Sequence, residues 1–185
     1  MKFLLAIGLL AASISAQVTP IALVGTAQSV PDPYFTMNPP GAARLSVHYC
    51  ASGATAGLNF TISGLPLGYN TGPAATQESI LLAIDVGAAA TPGAAVLGGQ
   101  IYLPFTPSLF IANLGPSVYL GPGDVVPCPG LIVFPGAPGP FSPNGKSLNL
   151  GLPAGIVGTF SVQGAVFDPA LARLFTSNAY TFSIP

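Results

Sequence analysis

Apolar side chains recur at every second position in short runs along this chain, and Gly or Pro closes most of those runs. A period of two places alternate side chains on one face of an extended strand, so each run can bury one face and leave the other free. Leu45, Val47 and Tyr49 share a face in this way, as do Leu58, Phe60 and Ile62, and the pattern returns at Ile80, Leu82, Ile84 and Val86. Leu148, Leu150 and Leu152 follow, then Phe160, Val162, Gly164 and Val166, and finally Tyr180, Phe182 and Ile184. No segment sustains an apolar stripe at helical spacing over three turns, which makes the fold class all-β. Shorter strands are expected at 21–26, 95–103, 108–112, 118–120 and 131–134. One buried face per strand calls for a second layer, and the many turn signals favour a β-sandwich of the jelly-roll or immunoglobulin-like kind, with long Pro/Gly-rich loops. The segment 168–174 is expected to form a turn or two of helix, with Pro169 at the first helical position.

The amino terminus follows a different rule. Lys2 precedes an apolar run, 3–12, and the small-residue stretch Ser13-Ile14-Ser15-Ala16, the pattern of a secretory signal peptide. The run is too short to span a bilayer, so export, cleavage after Ala16 and no membrane insertion after processing are expected. Residues 17–185 then form a single domain, secreted to the extracellular space, the cell surface or the periplasm. Gly and Pro together number 44 of 185 residues and charged residues are only 5 %, yet half the chain is hydrophobic. Disordered chains show the opposite balance. The longest Pro/Gly stretch, 121–145, lacks the strict Gly-X-Y period of collagen and reads as a stiff loop.

Cys50 and Cys128 are the only thiols. In an oxidising compartment they are expected to form one disulfide, pinning the Pro127-Cys128-Pro129 segment to the strand that ends near Tyr49. Such a long loop, once closed, would stabilise the fold by roughly 4 to 5 kcal/mol in the chain-entropy model.

Chemistry has little to work with. Past the leader the ionisable set is Arg44, Lys146 and Arg173 against Asp32, Glu78, Asp85, Asp124 and Asp168, with His48 the only imidazole. Three scattered cations supply neither a nucleic-acid face nor a polybasic lipid contact. Any Ser/His/Asp or Cys/His site must pass through His48, which alternation places beside Ser46 on the polar face of its strand, and no Gly-x-Ser-x-Gly elbow occurs. No two acids stand as a local pair for glycoside hydrolysis, and Asp85 reads as the cap of a strand end. The isolated acid of Gly121-Pro122-Gly123-Asp124 is a weak calcium signal. One His and no paired Cys spacing do not make a zinc set. No catalytic, cofactor-binding or metal-binding residue, and no cofactor, is therefore assigned. Asn59-Phe60-Thr61 matches the N-glycosylation pattern but falls in mid-strand. Tyr34, Phe35, Tyr69, Tyr102 and Tyr119 fall in or near loops and strand ends, where aromatics cover a core rim or stack on sugars.

Two stretches carry a likeness. Phe160-Ser161-Val162-Gln163-Gly164-Ala165-Val166-Phe167-Asp168-Pro169, with Leu174 and Ser177-Asn178-Ala179 leading into the last strand, resembles the carboxyl-terminal signature of uncharacterised secreted proteins of planctomycete-type bacteria. Asn59-Phe60-Thr61-Ile62-Ser63-Gly64-Leu65-Pro66-Leu67-Gly68 is similar to their earlier strand and turn. The resemblance covers residues 57–185, implies an exported β-rich fold and brings no activity with it.

The expected role is therefore non-enzymatic: a structural or interaction part at the cell surface or in the extracellular matrix, in contact with itself or with other surface components. Edge strands are normally guarded by charge, and this chain has few charges with which to guard them. A carbohydrate-binding module, with or without calcium, is the alternative, and an extracellular hydrolase the third reading.

Overall fold

The computed structural model describes residues 18–32, 40–50, 57–66, 78–120, 131–133, 144–152 and 155–185. The leader, Cys128 and most of the 121–145 loop lie outside them, and so does the expected disulfide. Fourteen strands and no helix occur among the described residues. In chain order they are β1 (Thr19–Val24), β2 (Ser29–Val30), β3 (Gly41–Ala42), β4 (Arg44–Cys50), β5 (Gly57–Ser63), β6 (Ser79–Val86) and β7 (Ala94–Val96). There follow β8 (Gly99–Ile101), β9 (Phe110–Gly115), β10 (Val118–Tyr119), β11 (Leu131–Val133), β12 (Asn144–Gly151), β13 (Gly158–Asp168) and β14 (Arg173–Ile184).

Ten of them build two five-stranded antiparallel sheets. One runs β1-β14-β13-β6-β9 and the other β10-β12-β5-β4-β11, while β2-β3 and β7-β8 form two small ladders. The chain changes sheet between β1 and β4, β5 and β6, β9 and β10, and β12 and β13. Both sheets contribute their apolar faces to one core. Leu45, Val47, Tyr49, Leu58, Phe60 and Ile62 come from the second sheet, and Ile80, Leu82, Val162, Val166, Phe175, Tyr180 and Phe182 from the first, all buried. The period-two sets are thus the core-facing sets. Val86 is the exception, 45 % exposed at the end of β6.

The expected helix at 168–174 is a tight turn instead. Asp168 accepts the Ala170 and Leu171 N–H groups at 2.9 and 3.1 Å, Ala172 N–H reaches Pro169 O at 3.3 Å, and Ala172 takes a positive φ of 47°. Continuous β13–β14 pairing on both sides, down to Asp168 opposite Arg173, leaves no length for a helical turn.

Inside that hairpin the register shifts. Gln163 faces Ala179 and Ala165 faces Thr176, so Ser177 and Asn178 together oppose the single residue Gly164. An extra residue in one strand re-aims a side chain. Here it is Asn178, whose amide crosses to the other sheet: Leu45 N–H donates to Oδ1 at 3.1 Å and Nδ2 donates to Leu45 O at 3.0 Å. Gly164 leaves room for a side chain of the other sheet, since a Cβ there would lie 2.5 Å from Ile62 Cδ1.

A comparable constraint acts within the second sheet. A Cβ on Gly145 would run into the Ile62 carbonyl of the neighbouring strand. We expect Gly145→Ala to destabilise the domain by about 2 kcal/mol, the cost of overpacking against a backbone atom. Urea unfolding of the variant beside Gly151→Ala, where nothing lies within 4 Å of the added carbon, provides the check.

Candidate functional site

The polar face of β4, β5 and β12 is a hydrogen-bonded network, buried on β4 and β5 and open to solvent at Asn149 on β12. His48 is only 3 % exposed, where alternation alone would have left it on an open face. Its Nδ1 lies 3.3 Å from Asn59 Oδ1, which also accepts the Thr61 hydroxyl at 2.9 Å. An amide oxygen only accepts, so with the amide in this orientation Nδ1 carries the proton. Asn59 Nδ2 donates at 2.7 Å to both Ser147 Oγ and Asn149 Oδ1. Burial pushes the imidazole pKa down, against a smaller upward pull from the Asn59 bond. The orienting partner at Nδ1 is therefore a neutral amide, and the arrangement is a structural tie across three strands. Asn59 is fully buried with both amide atoms engaged, so the glycosylation sequon is inaccessible in the folded domain.

Asp85 lies on the other sheet, 1 % exposed. Desolvation opposes its charge, but hydrogen bonds outweigh it and hold the carboxyl below its ordinary pKa. The donors are the Thr106 hydroxyl, Thr106 N–H at 2.9 Å, Val86 N–H at 2.8 Å and the backbone at Phe105. The carboxylate ends its strand and also anchors the 103–109 loop, a second task that position in the sequence does not reveal.

Glu78 and Asp168 come nearest to a carboxylate pair. Burial is the main force raising the Glu78 pKa, hydrogen bonds from Ser117 at 3.0 and 3.3 Å counter it, and the Asp168 charge adds the smallest contribution. Each acid holds a connection: Glu78 holds Ser117, between β9 and β10, and Asp168 holds Ala170 and Leu171 in its own turn. Among the described residues no group of three or more His, Cys, Asp or Glu side chains converges.

All four described carboxylates, Asp32, Glu78, Asp85 and Asp168, are buried. Of the described cations Arg44 and Arg173 are exposed and Lys146 is half-buried. The described surface therefore carries no exposed Asp or Glu side chain, and its exposed side chains include many large apolar ones. Tyr119 is 71 % exposed and Tyr102 half-buried, while Tyr34, Phe35 and Tyr69 lie outside the described residues.

The sheet edges differ in how they are protected. At the β1 edge, Pro20 and a register shift between Pro20 and Ala22 interrupt the strand. β9, at the opposite edge of that sheet, reads Phe-Ile-Ala-Asn-Leu-Gly with no charge and no Pro, and its only irregularity falls near its end, opposite Ile80 and Leu81. Phe110 and Ile111 are 55 % and 57 % exposed, on opposite faces of the strand. This edge is the feature of the described surface best suited to making contact. Comparison of the chain with family models, with curated proteins and with solved structures found no match.

Proposed function

We propose that the mature chain is a secreted β-sandwich, its two five-stranded sheets stacked across the shared core, and that it works by contact rather than by catalysis. Its partner is a second copy of itself, joined through β9, in a cell-surface or matrix layer. The observation that carries this reading is the uncharged, Pro-free β9 edge, with Phe110 and Ile111 exposed on either side. Unpaired strand edges template further pairing unless Lys, Pro or a bulge blocks them. Two β9 strands related by a two-fold axis run antiparallel, so the same edge serves both copies and the contact closes as a dimer. The burial of every described Asp and Glu side chain supports the same view, because little like-charge repulsion opposes the approach.

Sedimentation velocity on residues 17–185 tests it. The dimer fraction is expected to rise with concentration, and a Phe110→Lys, Ile111→Lys double variant with unchanged far-UV circular dichroism is expected to stay monomeric. Equal association by the wild type and the charged-edge variant would rule out β9.

A further inference from the structure

On the outward face of the first sheet, a pocket of about 170 Å³ is bounded by Leu81, Ile101, Leu103, Phe105, Ile111 and Ala165. Gln163 is the one polar side chain in its wall. Both ends of that amide are engaged. Nε2 donates to Gln100 O and Ser177 O at 2.8 Å each, and Oε1 accepts Tyr102 N–H at 2.9 Å. The side chains lining the pocket therefore offer an occupant no free N–H or O–H donor and no charge.

Two structures wall the pocket, and buried polar groups hold both in place. The β7–β8 hairpin is fixed by Gln100 N–H to Thr176 Oγ1 at 3.0 Å, by Leu174 N–H to Leu97 O at 3.0 Å and by the Gln163 bonds. The 103–109 loop is fixed by Asp85. It holds Phe105 at a positive φ of 57°, half-exposed, against the pocket. A left-handed backbone is costly for an aromatic residue and persists only where its surroundings impose it. The walls are thus set before anything binds, which lowers the ordering cost of binding.

We infer that this pocket binds an uncharged hydrocarbon group of roughly six to eight carbon atoms, free or at the end of an acyl chain, by analogy with an apolar cavity of about 150 Å³ that stays dry and takes benzene. The pocket shares Ile111 with the β9 edge, so it is tested apart from self-association. The probes are toluene for the free ring and octanoate for the chain end, titrated at a protein concentration where sedimentation finds monomer, with methyl NMR as the readout. Saturable shifts confined to Leu81, Ile101, Leu103 and Leu174 are expected with at least one probe, and whichever probe acts identifies the source.

Ala83→Phe fills the pocket from β6 and is expected to abolish the shifts. Phe105→Gly relieves the backbone and removes one wall, so binding is expected to weaken roughly tenfold without loss of stability. The inference fails if neither probe moves those methyls at its solubility limit. It also fails if shifts spread without saturation over exposed sites such as Ile21 and Val157, or if Phe105→Gly binds as tightly as the wild type. Movement of the same methyls with protein concentration alone, with neither probe able to compete, would make a second copy the occupant and overturn it.

Discussion

Replacing Asn178 by Ala is expected to lower the thermal unfolding midpoint by roughly 6 to 12 °C, the consequence of about 3 kcal/mol in a domain of this length. The Asn178 amide satisfies both backbone groups of Leu45 across the core, and Leu45 is fully buried. With the amide gone, water has little access to either group, and two buried unsatisfied partners cost far more than the net worth of two hydrogen bonds. Asn178→Asp should be at least as harmful at neutral pH: it still accepts Leu45 N–H, but sets an oxygen against Leu45 O and buries a charge. Differential scanning calorimetry of the two variants decides the point. Midpoints within 2 °C or so of the wild type would mean that the sheets are joined by apolar packing alone.

Asp85→Ala is expected to cost about 3 kcal/mol at neutral pH and to change how stability depends on acid. The sign follows from the direction of the shift. The folded-state pKa of Asp85 is held below its ordinary value of 3.8, so its contribution is fully present above that value and is lost as pH falls through the lower, folded one. His48 acts earlier. Its folded pKa is lowered from 6.5, so the unfolded chain takes up the proton first and stability declines as pH drops below 6.5. Glu78 opposes both, because its raised pKa favours the protonated folded state and its contribution fades as pH rises through the folded value. Urea unfolding from pH 8 to 3 should therefore show a decline beginning near neutrality, which His48→Gln flattens. A further acid loss below the ordinary Asp pKa should be missing in Asp85→Ala. Parallel curves for Asp85→Ala and the wild type across that range would contradict the role given to the carboxylate.

Most of the core was legible because strand alternation is a local property. Leu45, Val47 and Tyr49 face inward for the same reason whatever lies opposite them, and the same holds for Leu58, Phe60 and Ile62. β9 overlaps the short strand expected at 108–112, but the single strand expected at 95–103 is broken by a turn at Leu97 and Gly98, both at positive φ, into the β7–β8 hairpin. Pairing partners were not, since they depend on contacts far apart in sequence, such as Leu45 with Asn178. The same limit explains His48. Its strand pattern shows a polar face, but only the docking of β5 and β12 brings Asn59, Ser147 and Asn149 together into the network against which His48 is buried. The segment 168–174 carries Pro and Ala residues that suit a helix start, and the long β13–β14 ladder overrides that local preference. The apolar pocket left no motif at all. Its wall combines residues from β6, β7, β8, β9, β13, β14 and the 103–109 loop. The unguarded edge, by contrast, has a sequence trace in the scarcity of charge, although nothing in that scarcity singles out β9.

Amide hydrogen exchange read residue by residue along β9, as a function of protein concentration, probes the proposed contact most directly. On pairing with a second copy, the β9 N–H groups that do not face β6 should pass from rapid exchange in dilute solution to strong protection when concentrated, and the Phe110→Lys, Ile111→Lys variant should lose that gain. Unchanged exchange at those amides, from dilute monomer to the most concentrated sample, would contradict a protein that works through this edge.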